Sequence, residues 1–204
     1  MKMNLVGLCA AALLLAPLSC IADRVPSQET VAFAISKQGN GWAYISTKPF
    51  VLELRRSQQK LRAEMKELNA VSDVSPSPSI EWSQDGQYIL ITYRNEESAS
   101  SVEIYETRNL KRLFIHPVSY ARWLKTGQEF VAVPASGELG ENESRGLLIF
   151  NAKTGAMRRV AEQYTFVGRL DAGEQHVIAQ SLKKGVPGAT EFVRVNVISG
   201  VVDK

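Results

Sequence analysis

From about residue 30 onward, apolar positions come in short runs bounded by turn-forming residues, which is the patterning of strands and not of long helices. Four such runs, at 42–45, 88–93, 130–133 and 176–179, each follow a glycine: Gly39, Gly86, Gly127 and Gly173. The glycines are spaced 47, 41 and 46 residues apart, a period that belongs to blade-sized repeats. A glycine between two strands can supply the positive φ of a tight hairpin, so each unit is expected to open as strand, turn, strand. Further apolar runs follow at 102–105, 147–150 and 192–198, then turns at 106–109, 152–155 and 199–200, then short edge runs at 112–115, 157–160 and 201–202. Four antiparallel strands of this kind make one blade. Residues 88–91 and 146–150 are apolar at nearly every consecutive position, so both faces of these strands must be covered, as they are between neighbouring blades.

The first unit departs from this pattern. Its third strand, at 50–54, follows the second after a short loop. Residues 57–69 then read as a short surface helix, with Leu61, Met65 and Leu68 at i, i+4 and i+7 and charged residues between them. Residues 72–79, with Pro76 and Pro78, read as an extended connector.

The N-terminus carries a different signal. Lys2 precedes an apolar run over 5–18, and small residues lead into Asp23, the layout of a secretory signal. The run falls short of the roughly 20 residues a spanning helix needs, and Pro17 interrupts it, so cleavage after Ala22 is expected. The organisation is then a signal at 1–22 and one domain at 23–204, periplasmic or secreted, with no transmembrane segment in the mature chain. The alternative makes Cys20 the lipidated first residue of a lipoprotein; Leu18-Ser19-Cys20 fits part of that motif, and Pro17 departs from it. Both cysteines, Cys9 and Cys20, lie in this segment, so the mature domain is expected to be held by its core without a disulfide. The 24 basic and 21 acidic residues give a net charge of +3, and basic pairs are scattered among acids. That distribution excludes a nucleic-acid track.

The segment Trp82-Ser83-Gln84-Asp85-Gly86-Gln87-Tyr88-Ile89 resembles the W-S-P-D-G-k-x-I signature of TolB-like and WD-type β-propeller repeats, with Gln84 in place of the usual proline. Residues 102–107 and 148–155 similarly resemble the third strand and following turn of such a blade. The resemblance implies an all-β fold of four propeller-type blades, closed as a small ring or left as an open arc that a homodimer could complete. It also implies a non-enzymatic protein-binding module of a bacterial cell-envelope complex. The alternative is a protein that binds or processes a small ligand or glycan at the propeller mouth.

The search for chemistry supports the binding reading. His116 and His176 are the only histidines and fall in different repeats; His176 is expected in a strand, His116 in a loop at a blade junction. No G-x-S-x-G elbow is present. The run Glu138, Glu141, Asn142, Glu143 lacks the alternation of a calcium loop and reads as a solvated loop. No catalytic residue, metal or cofactor is therefore expected, and a protein partner is. Long loops on a rigid scaffold are the expected binding surface, which nominates Arg94, Glu96, Glu97, Glu138, Glu141, Glu143, Arg145, Lys183 and Lys184. His116 and Tyr164 join them from the blade junctions, with Tyr164 as the aromatic anchor.

Overall fold

The computed structural model describes residues 30–47, 49–56, 58–70, 78–94, 100–135 and 145–203; of residues 94, 100, 168 and 169 it describes the backbone alone. The proposed signal, its cleavage site, Cys20, and the acidic residues Glu96, Glu97, Glu138, Glu141 and Glu143 lie outside the described residues.

The repeats fold as antiparallel meanders. The first blade contains β1 (Thr30–Ile35), β2 (Gly41–Ser46), β3 (Val51–Arg56) and β4 (Gln59–Glu64), paired in that order. A short helix, α1 (Lys66–Ala70), leads to β5 (Ser79–Trp82), β6 (Tyr88–Arg94) and β7 (Ser100–Glu106). The third blade is completed by β9 (Glu129–Pro134), β10 (Leu147–Asn151) and β11 (Met157–Val160). The fourth contains β12 (Phe166–Ala172), β13 (His176–Leu182), β14 (Thr190–Asn196) and β15 (Val202–Asp203).

Between the second and third blades runs one long strand, β8 (Arg112–Trp123). Its first half pairs with β7, from Tyr105↔Arg112 to Ser101↔Pro117, and its second half pairs with β9, from Val118↔Pro134 to Trp123↔Phe130. It is the last strand of one blade and the first of the next. His116, expected in a loop, therefore lies within a strand. Register shifts on both sides bend the strand so that it can change partners.

Two further details differ from the sequence reading. The helix expected over 57–69 is confined to Lys66–Ala70, and residues 59–64 form β4 against β3. Leu61 and Ala63 alternate with Lys60, Arg62 and Glu64, so the stretch fits period 2 as well as period 3.6, and the open edge of β3 selects the strand. Met65 and Leu68 are fully buried as expected of an apolar stripe, one just before the helix and one within it.

The second difference concerns Gly173. Gly39, Gly86 and Gly127 adopt φ of 67°, 68° and 90°, as the hairpins require, whereas Gly173 is not in the positive-φ region. Its N–H bonds the carbonyl of His176, the bond made in the other blades by Ser36, Ser83 and Leu124, each the first residue of its turn. Gly173 thus opens a shorter turn, and the true counterparts of Trp82 and Trp123 are Ile35 and Ala172, each the last residue paired before the hairpin.

Three cores hold the blades together, one per junction. Ala43, Ile45, Leu52 and Leu54 meet Trp82, Ile89 and Ile91 between the first and second blades. Leu90, Val102 and Ile104 meet Trp123, Phe130 and Ala132 between the second and third. Val131, Val133, Leu147 and Ile149 meet Leu170, Val177, Val193 and Val195 between the third and fourth. Phe114, Phe130 and Phe150 stack in the middle junction with centroids 5.7, 5.7 and 4.9 Å apart. Phe130 and Phe150, both buried, each contribute roughly 1.5–3 kcal/mol by leaving water, and the half-buried Phe114 less. Among the described residues no buried cluster joins the fourth blade to the first, so the blades form an open arc.

Candidate partner-binding rim

Antiparallel blades place their loops at two rims. The turns between first and second strands, and between third and fourth, emerge at one rim. The loops between second and third strands, and the links from blade to blade, emerge at the other.

The short-turn rim is bonded to itself. Ser83 Oγ donates to Asp85 Oδ1 at 2.7 Å, Gln87 N–H donates to the same oxygen at 3.0 Å, and Tyr88 N–H donates to Ser83 Oγ at 2.9 Å. These bonds explain why serine and aspartate stand beside Gly86. Neighbouring turns then hold one another: Lys37 Nζ donates to Gln84 Oε1 at 2.8 Å, Gln38 Nε2 to the Asp85 carbonyl at 2.9 Å, and Lys125 N–H to the Gly173 carbonyl at 3.0 Å. A repeated bond lies just beneath, where Trp82 Nε1 donates to the Ala34 carbonyl at 3.3 Å and Trp123 Nε1 to the Glu81 carbonyl at 3.0 Å. The outer turns are built alike, with Asn151 Oδ1 accepting from Lys153 and Thr154 N–H, and Asn196 Oδ1 from Ile198 and Ser199 N–H.

On the long-loop rim, the described loop bases are anchored to one another. Tyr164, in the link from β11 to β12, is half-buried against Phe166 at 6.0 Å, and its carbonyl accepts from Gly146 N–H at 2.9 Å. Leu182 N–H donates to the Thr165 carbonyl at 2.9 Å, and Arg159 Nη1 donates to the Arg145 carbonyl at 2.5 Å. These contacts bring the bases of two loops together, from the third and fourth blades, with Arg145, Tyr164 and the exposed Lys183 and Lys184 around one junction. Arg94 ends β6 at the same rim, paired with Ser100. His116 is only partly available: its ring meets the Phe150 edge at 5.2 Å and its Nδ1 lies 3.0 Å from the Pro117 carbonyl. It belongs more to the middle core than to the rim.

The structure adds a buried polar centre that sequence reading did not nominate. Glu103 is fully buried and accepts from Tyr93 Oη at 2.9 Å and Tyr105 Oη at 2.6 Å, with Arg112 Nη1 at 3.4 Å. Burial first, then the Glu103 charge and hydrogen bonds, push both tyrosines far above their ordinary range. Arg112 also reaches Glu67 of α1 at 3.3 Å, which ties the helix to the second blade. The carboxylate, the two phenols and the guanidinium are bonded to one another. No group of three or more metal-ligating side chains occurs among the described residues, and no helix among them is long and apolar enough to cross a membrane.

No family model matches this sequence, and no curated protein matches it either. Solved structures do match at the level of fold. TolB from Acinetobacter baumannii is similar with a TM-score of 0.52 at 14% identity, over 85% of this chain and 42% of that one. Pyrococcus horikoshii acylaminoacyl peptidase gives 0.54 at 15% identity, over 86% and 32%. The β-propeller domain of Myceliophteria thermophila Cps50 (Swd1) gives 0.50 at 14% identity, over 84% and 52%. The fold is therefore that of TolB-like and WD-type propellers, and the chain spans about a third to a half of the length of these structures.

Proposed function

We propose that this chain is an exported, non-enzymatic module that binds a protein partner through its long-loop rim, as part of a bacterial cell-envelope complex. One observation carries the reading: hairpin turns of the short-turn rim bond each other across the first and last junctions, whereas Tyr164, Lys183 and Lys184 cluster at the opposite rim. That rim presents an aromatic residue, Tyr164, beside Arg145, Lys183 and Lys184. The acidic residues Glu96, Glu97, Glu138, Glu141 and Glu143 fall in loops that emerge from it. A rigid scaffold, an aromatic anchor and surrounding charges of both signs suit a protein surface better than a small substrate. The likeness to TolB and to a WD-type propeller domain supports the module reading through the fold alone. The N-terminal pattern supports export, with a mature chain beginning at Asp23.

The test is affinity capture from a periplasmic fraction, using the mature chain and three variants, with the mass of the exported chain measured in the same experiment. One stoichiometric protein should be retained by the wild type and by Lys153→Glu on the short-turn rim. Tyr164→Ala should weaken its binding roughly 30-fold, the scale of an interface hot spot. Shortening the loop at 135–145 should weaken it too. Normal binding by both long-loop variants with loss in Lys153→Glu would show the wrong rim, and a lipid mass on Cys20 would replace the cleaved form by the lipoprotein.

A further inference from the structure

The two end blades carry uncovered faces at positions that are buried or packed against the core in the other blades. At every internal junction the joint has one polarity: the forward face of a blade meets the backward face of the next. On the backward face of the first blade, Phe33 is 38% and Ile35 46% exposed, while Trp82 and Trp123, at the Ile35 position of the second and third blades, are each 3% exposed. Trp42 continues this patch, with Phe33 at 6.1 Å and Tyr44 at 5.3 Å. On the forward face of the fourth blade, Ile178 is 47% exposed where Ala43, Leu90 and Val131 are at most 1% exposed. Phe192 is 66% exposed where Leu52 and Val102 are fully buried.

We propose that a second copy of this chain covers both faces, the forward face of each fourth blade packing on the backward face of the partner's first blade, so that two arcs close one eight-bladed ring. Two observations favour this occupant. The joint would repeat the polarity the chain already uses three times. The chain spans 52% of the propeller domain it resembles, so two copies supply about one ring, and eight blades lie within the known range. A head-to-tail contact closes or runs on into a filament according to its rotation. The proposal is independent of which rim binds a partner.

The experiment measures the mass of the purified protein by light scattering across a hundredfold concentration range, for the wild type, Phe33→Asp and Phe192→Asp. Both phenylalanines are exposed, so circular dichroism and melting temperature should stay near the wild-type values. The wild type should be a dimer. Each variant alone should dissociate at least about 30-fold more readily, because every joint in the ring then contains one damaged face. Mixing the two variants restores one intact joint and should return a weaker dimer. A wild-type monomer throughout, or species growing beyond two copies, overturns the proposal. So does a dimer sensitive to only one substitution and not rescued by mixing, the signature of a face-to-same-face contact.

Discussion

At the scale of single residues, the first and second blades share a device that reaches across the sequence repeat. Glu53 pairs across from Tyr44 as Glu103 pairs across from Ile91, so the two glutamates occupy one blade position. Both are buried, and both are held by tyrosine and arginine side chains. Burial opposes the charge of Glu53, but hydrogen bonds from Tyr44 and Lys60 and the charges of Lys60 and Arg62 outweigh it and hold its carboxyl below the usual range. The same contact raises Tyr44 from 10.0 to about 12, with burial the larger cause. A tyrosine raised on folding stabilises the native state fully below the unfolded value, and that contribution is lost as pH rises through the folded value. Thermal stability should therefore fall between pH 10 and about 12, and Tyr44→Phe should flatten that fall. Melting temperatures across this range check the sign; an unchanged slope in the variant would show that Tyr44 does not carry it. The turn residues Ser83 and Asp85 were legible in the sequence because their bonds close within five positions. The glutamate centres were not, because their partners lie on other strands and a lone glutamate carries no local mark.

At the scale of elements, the turns decide how much a substitution costs. Gly146 and Gly155 both have positive φ, 78° and 71°, so any side chain pays about 1–2 kcal/mol for the left-handed backbone. Their surroundings differ. A Cβ at Gly146 would meet the Val160 carbonyl at 2.8 Å, while one at Gly155 meets nothing within 4 Å. Denaturant unfolding should show Gly155→Ala destabilised by about 1–2 kcal/mol and Gly146→Ala by clearly more, since a backbone carbonyl must move as well. Equal losses would mean that the link between β10 and β11 yields easily. Strand patterning was legible wherever both faces of a strand are buried, as in β6 and β10, because consecutive apolar residues admit few other readings. It failed where a segment fitted two periods, as at β4. It failed again where one strand serves two blades, as in β8, since a partner switch leaves no turn residues. The glycine at 173 misled for a related reason: glycine marks a bend, and only the hydrogen bond to His176 shows which place in the bend it holds.

At the scale of the whole molecule, four blades stack through three apolar junctions and leave two end faces and two unlike rims. The blade count was legible from spacing, because each repeat needs a neighbour on either side to cover its strands. The open form was not, since the same strand pattern serves a ring or an arc and only Phe33, Ile35, Ile178 and Phe192 reveal which faces lack cover. The rim proposed for a partner was not legible either, since that choice rests on how turns bond across junctions, a relation between residues 47 apart in sequence such as Lys37 and Gln84. The most direct measurement is an amide-exchange footprint of the chain with and without its captured partner. The account predicts slowed exchange in the loops at 95–99, 135–146 and 183–189 and in the link at 161–165, with the short turns at 83–87, 124–128 and 152–156 unchanged. Protection confined to those short turns, with the long loops exchanging as in the free chain, would contradict it.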